Sequence, residues 1–144
     1  DLGSTLHRAG TLKGMVRLIR RVDDPSDPCP INIGHLIRPR HLQVRVYVTE
    51  GRDLQATDTS GAADPYITMQ LGDQYINDRG NFLPNTIQPP FYRCYELKTT
   101  LPGPSRLRLD VFDHNLITFD ELIGSTVVDL EDRWFEPRWR LFGK

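Results

Sequence analysis

The chain has 144 residues, the length of one domain and enough to bury a core of its own. Its 18 Lys and Arg against 19 Asp and Glu give a net charge of −1, its apolar fraction is 38% and it carries 2 Cys. These figures exclude a disulfide framework and a generic polyanion binder such as a nucleic-acid module, and no run approaches the roughly 20 apolar residues of a membrane span. The near-neutral total hides a segregation: residues 1–50 hold 8 basic and 5 acidic residues, residues 51–144 hold 10 basic and 14 acidic. The chain opens on Asp1 rather than Met, as expected of a segment of a longer protein.

Residues 1–11 show no usable period and are expected to be a flexible lead-in. From Leu12 the pattern turns strand-like: Met15, Val16, Leu18 and Ile19 sit among Arg17, Arg20 and Arg21, which places a first strand near 13–21. Pro25, Pro28 and Pro30 then enforce a connection. Leu42, Val44, Val46 and Val48 alternate with Gln43, Arg45, Tyr47 and Thr49, the period of a sheet with one buried face. After a polar loop over 50–63, Ile67, Met69 and Leu71 alternate with Tyr66, Thr68 and Gln70, and Gly72-Asp73 reads as a turn. Gln74 to Asn85 reads as a ragged strand pair around Gly80. Pro89-Pro90 blocks a helix, and Phe91 to Leu97 is a strand with Phe91, Tyr95 and Leu97 inward. Leu101 to Pro104 turns, and Leu107, Leu109 and Val111 lead into Phe112. A polar loop, a strand over Leu122–Leu130 and a last short strand near 138–142 complete the chain. About eight short strands, with no 3.6-residue period of helical length, predict an all-β antiparallel sandwich of Greek-key type.

The carboxylates gather in two loops. Asp53, Asp58 and Asp64 follow the Leu42–Val48 strand; Asp113, Asn115, Asp120 and Glu121 follow the Leu107–Phe112 strand. Such loops can lie side by side at one end of a Greek-key sandwich. Converging like charges repel, so the arrangement calls for a cation. Oxygen donors on flexible loops suit calcium, whereas zinc would want His and Cys and magnesium a tighter octahedron. Solvated acidic loops with no metal are the equal alternative from spacing alone.

The residues then resemble a known family. Leu54-Gln55-Ala56-Thr57-Asp58 followed by Asp64-Pro65-Tyr66 is similar to the first calcium loop of C2 domains. Val111 to Asn115 with Asp120-Glu121-Leu122-Ile123-Gly124 is similar to their third loop and its exit strand, and Thr86 to Phe91 to their second-loop segment. Leu12-Lys13-Gly14 with Asp27-Pro28, Asn81 to Thr86, and Thr126 to Arg133 narrow the resemblance to the C-terminal C2 domains of ferlins, large tail-anchored membrane proteins. The resemblance covers most of the chain and implies a single domain over 12–144.

It further implies metal ligands at Asp58, Asp64, Asp113 and Glu121, with Asp120 one residue early and backbone carbonyls from Thr57 and His114. Asn115 stands where the family more often has Asp, offering one neutral oxygen in place of two anionic ones, which should weaken at least one ion position. Asp53 falls outside the pattern. Leu116, Ile117 and Phe119 form an apolar tip that either folds back on the sandwich or, as the resemblance implies, enters a bilayer interface. The stretch matching the lysine-rich strand of other C2 domains, Gln74 to Thr86, has Arg79 as its only base, which speaks against phosphoinositide specificity. The implied function is calcium-linked binding to anionic phospholipid membrane, at the cytosolic face, within a parent whose other domains are further partners. A calcium-independent protein–protein module is the alternative. No nucleic-acid role is expected. No catalytic residue is assigned: G-x-S-x-G and HExxH signatures are absent, and no His is placed for general-base work. His114 reads as a solvated neighbour of the ligands. Cys29 and Cys94 read as unpaired thiols.

Overall fold

The strictest alternation in the chain becomes β1 (Arg40–Val48), whose Leu42, Val44, Val46 and Val48 turn inward while Gln43, Arg45 and Tyr47 face out. The structure, a computed structural model, describes residues 34–55, 61–136 and 138; the side chains of His35 and Leu36 are not among them. All described residues fall in one unit, Ile33–Lys144. A one-turn helix α1 (Gly34–Ile37) precedes β1. Then come β2 (Pro65–Leu71), β3 (Gln74–Asn77), a 3-10 turn over Arg79–Asn81, β4 (Arg93–Leu101), β5 (Arg106–Asp113), β6 (Glu121–Asp129) and α2 (Leu130–Phe135).

These strands make two antiparallel sheets: β1 pairs with β4, and the other four run in the order β3-β2-β5-β6. This is an antiparallel β-sandwich, and the all-β reading holds. Ile67, Met69, Leu71, Phe91, Tyr95, Leu97 and Leu107 fill the core, and Val44, Val46, Val48, Leu109 and Val111 pack against it. β2 is buried on both faces over its first five residues, because Tyr66 and Thr68 are covered as well as Ile67 and Met69. Tyr66 stacks on its cross-strand partner Phe112, with ring centroids 5.8 Å apart. Gly72 turns β2 into β3 at φ +57, a conformation that suits glycine.

The sequence reading departs from the structure in four described places. The strand expected to reach Leu130 stops at Asp129, which caps α2 by accepting from the Glu131 amide at 3.0 Å. A helix of 6 residues is too short to show its period in the sequence. The pair expected over Gln74–Asn85 is the single short strand β3, because the chain leaves the ladder at Asp78 for the 3-10 turn. The Asp78 carboxylate accepts there from Arg93, from Asn81 and from the Tyr95 hydroxyl at 2.6 Å. The strand expected from Phe91 begins at Arg93, although Phe91, Tyr95 and Leu97 are buried as read. The first strand near 13–21 lies outside the described residues, as does the last near 138–142 apart from Arg138, which is helical rather than extended.

Candidate functional site

The β-ladder itself brings the two acid-rich loops together. β2 begins where β5 ends: Pro65 pairs with Asp113 in antiparallel register. Asp64, the last residue of the β1–β2 loop, therefore meets Asp113 and His114, the first of the β5–β6 loop. The Asp64 amide donates to Asp113 Oδ1 at 2.6 Å, and the His114 amide donates to the Asp64 carbonyl at 3.0 Å. The β3–β4 connection runs along the same end. Its Leu83 and Thr86 amides donate to the carbonyls of Pro65 and Ala63 at 3.0 and 2.8 Å, and Leu54 donates to Ile87 at 3.0 Å. Asn85, held at φ +54, aims its amide at Asp64 Oδ1, 2.7 Å away. Three loops thus share one end of the sandwich, fixed by backbone bonds rather than by side-chain chance.

Asp113 is only 1% exposed, while Asp64 is half-buried. Glu121 stands exposed at the start of β6, opposite Asp113 in the β5–β6 pairing. Asp53 is exposed, as expected of a solvated loop acid. Asp58 and Thr57 lie outside the described residues. Among the described residues no group of three or more His, Cys, Asp or Glu side chains is arranged to hold a metal ion. What the described residues do supply is two carboxylates, Asp64 and Asp113, joined through the Asp64 amide. Their donor chemistry is oxygen only, which suits a hard cation such as calcium.

Asp120 behaves differently. Its carboxylate accepts from Arg79 Nε at 2.6 Å, Arg79 Nη2 at 2.9 Å, the Tyr66 hydroxyl at 2.7 Å and the Asn115 amide at 2.9 Å. The Arg79 guanidinium holds it far below the usual carboxylate range; burial opposes this, and the Asn115 and Tyr66 bonds reinforce it. Burial, then the bond to Asp120, pushes the Tyr66 phenol well above its usual range. The sequence reading placed Asp120 beside the ligand positions; the structure gives its charge to an arginine of the chain.

The third-loop tip is open. Leu116, Ile117 and Phe119 are 90, 97 and 95% exposed, so in this structure they do not fold back on the sandwich. His114 is not the solvated neighbour the sequence suggested. It is buried and stacks on Phe82 with centroids 4.0 Å apart and planes 7° from parallel. The reason is the tight crossing of the β3–β4 connection over the end of β2, which brings Phe82 across the sheet end. Arg79, Phe82 and Tyr66 were not among the expected site residues. Only Arg79 carried a sequence signal, as the lone base in its stretch; its partner is 41 residues away.

Comparison with known proteins agrees with the β-sandwich fold. The C2 domain family matches residues 42–140. The chain belongs to the C2 domain family. Within that family its sequence is ferlin-like. It is 40% identical to human myoferlin over 128 residues, which cover 87% of this chain and 6% of that protein. It is 38% identical to mouse Fer-1-like protein 4 over 98 residues, covering 68% of this chain and 5% of that one. The chain therefore spans a small fraction of the relatives it matches. Among solved structures, the paired C2 domains of extended synaptotagmin 2 match with a TM-score of 0.58 at 24% identity, covering 86% of this chain and 40% of that one. A calcium-bound structure of the same domains matches at 0.57 and 27%, covering 65% of this chain and 36% of that one.

Proposed function

We propose that this C2 domain is a calcium-linked module that docks on anionic phospholipid membrane, and that its role is binding rather than catalysis. One observation carries the reading. The paired carboxylates Asp64 and Asp113 lie at the loop end of the sandwich, and the same third loop displays Leu116, Ile117 and Phe119 at 90–97% exposure. Charge for a cation and apolar groups for a lipid phase thus share one end of the molecule. Asp58, Asp64, Asp113 and Glu121 would hold the ion, with the Asn115 side chain and the Thr57 and His114 carbonyls as neutral oxygens. When bound, calcium would supply the positive charge that cancels these acids and attracts a lipid phosphate. The calcium-bound form of extended synaptotagmin 2 supports the reading by similarity.

The chain's own part is to hold the acids and the tip on one rigid end. Asp113 is fixed by the β2–β5 ladder, and Asp64 by its bonds to Asn85 and His114. We place the module at the cytosolic face of a membrane, inside a ferlin-like trafficking, fusion or repair protein whose other domains are its neighbours. Strands near 13–21 and just after Arg138 would bring the sandwich to eight. The rival reading, a calcium-independent interaction module, draws on the internal neutralisation of Asp120 by Arg79.

Vesicle pelleting separates them. Phosphatidylserine-containing vesicles should retain the wild type in calcium and release it in chelator, and Ile117→Asp should abolish retention. Equal retention of both proteins with and without calcium would sink the proposal.

A further inference from the structure

We propose that Arg79 is the positioning residue of the third loop: its guanidinium takes the place of a bound cation at Asp120 and Asn115, and so presents the apolar tip before any metal arrives. The problem it solves is physical. Residues 114–120 bridge β5 and β6, and an apolar tip on so short a bridge gains by collapsing onto the sandwich end. Yet Leu116, Ile117 and Phe119 stand almost fully exposed.

The neck of the loop shows what holds them out. Arg79 grips Asp120 with two parallel bonds, Nε to Oδ2 at 2.6 Å and Nη2 to Oδ1 at 2.9 Å. The same Nη2 donates to the Asn115 carbonyl at 2.9 Å, so one guanidinium ties both ends of the tip. Within the loop, the Asn115 amide donates to Asp120 Oδ1 at 2.9 Å, and its side-chain Nδ2 donates to the Phe119 carbonyl at 3.2 Å. Tyr66 on β2 anchors the assembly to the sheet through its 2.7 Å bond to Asp120. The Asp120 side chain is 14% exposed and its charge is already matched.

This also gives a reason for Asn115. The Phe119 carbonyl is an acceptor, and an amide can donate to it where a carboxylate cannot. At this position the chain gains a staple and loses an anionic oxygen. Arg79 cannot be replaced by Lys without loss, since an ammonium offers no fork to bridge the carboxylate and the carbonyl.

The experiment is amide hydrogen exchange on the 144-residue chain in chelator, without calcium or lipid. Arg79→Gln should exchange the Asn115 amide, which donates to Asp120 Oδ1, at least about 10-fold faster than the wild type, while amides of β2 and β5 keep their protection. Arg79→Lys should fall between the two. Unchanged exchange at the Asn115 amide in Arg79→Gln overturns the proposal. If that variant loses protection in the core as well, Arg79→Lys, which keeps the charge and loses the fork, takes its place: faster exchange of the Asn115 amide supports the grip, and unchanged exchange overturns it. This arm contains neither ligand of the proposed function, so it can fail while calcium-dependent docking stands, and the reverse also holds.

Discussion

Replacing Asp113 by Asn should change the sign of its effect with calcium. The side chain is 1% exposed, and its Oδ1 accepts from the Asp64 amide at 2.6 Å. The amide of Asn keeps an acceptor in nearly the same place. Turning a charge-assisted bond into a neutral one costs about 1 kcal/mol. Against this, the Asp64 carboxylate sits on the residue whose amide makes that bond, about 6 Å away by backbone dimensions. Two like charges at ~6 Å repel by about 1–3 kcal/mol at an effective dielectric of 20–40. The repulsion matches or exceeds the weakened bond, so in chelator the variant should melt at or slightly above the wild type. In calcium the order should reverse. An ion at about 100 times its dissociation constant stabilises the wild type by ~2.7 kcal/mol. For a domain of this size that raises the melting temperature by about 10 °C. The variant should gain less than half of it. Differential scanning fluorimetry in chelator and in a calcium series reads both numbers. If Asp113→Asn melts more than about 5 °C below the wild type in chelator, its carboxylate is structural and the electrostatic reasoning fails.

Four further outcomes are expected. Ile117→Asp should leave the melting temperature within about 2 °C of the wild type, because a side chain 97% exposed carries little fold stability. Asp78→Ala should cost about 2–4 kcal/mol in urea unfolding, since it strands the Tyr95 hydroxyl and the partly buried Arg93 guanidinium. Ile67→Ala, at a fully buried core position, should cost about 3–5 kcal/mol in the same assay. Stability should also bend at both ends of the pH scale. Burial pushes the Asp78 carboxyl up, but its bonds from Asn81, Tyr95 and Arg93 outweigh this and hold it below the usual value of 3.8. Asp120 is held lower still by Arg79. Both contributions are present above the ordinary carboxylate pKa and are lost as pH falls through the depressed values, so acid unfolding should set in below about pH 4. The Tyr95 phenol, pushed up from 10.0 to about 12 by burial and its bond to Asp78, contributes stability below pH 10 that is lost between those values. Urea midpoints across that range check both limbs; a midpoint flat from pH 7 down to pH 2 would contradict the Asp78 and Asp120 assignments.

The exposed apolar tip was legible in the sequence because its parts are local. Leu116 to Phe119 is apolar in a polar loop whatever the fold, and the strand alternation before it sets where that loop begins. Arg79 and Asp120 were not legible as a pair, because they are 41 residues apart and only the path of the 3-10 turn after β3 makes them neighbours. The Phe82–His114 stack was hidden for the same reason.

Composition and period-2 alternation were enough to determine an all-β sandwich, since side-chain alternation follows from strand geometry itself and needs no knowledge of the partner strand. The types and order of the loop acids likewise fixed which chemistry was available. Which acids meet was a tertiary decision. The β2–β5 register sets Asp64 against Asp113, and the fold of the β3–β4 connection delivers Arg79 to Asp120. Charges interact through space at a few ångströms, and the sequence orders residues only along the chain; the ladder converts one into the other.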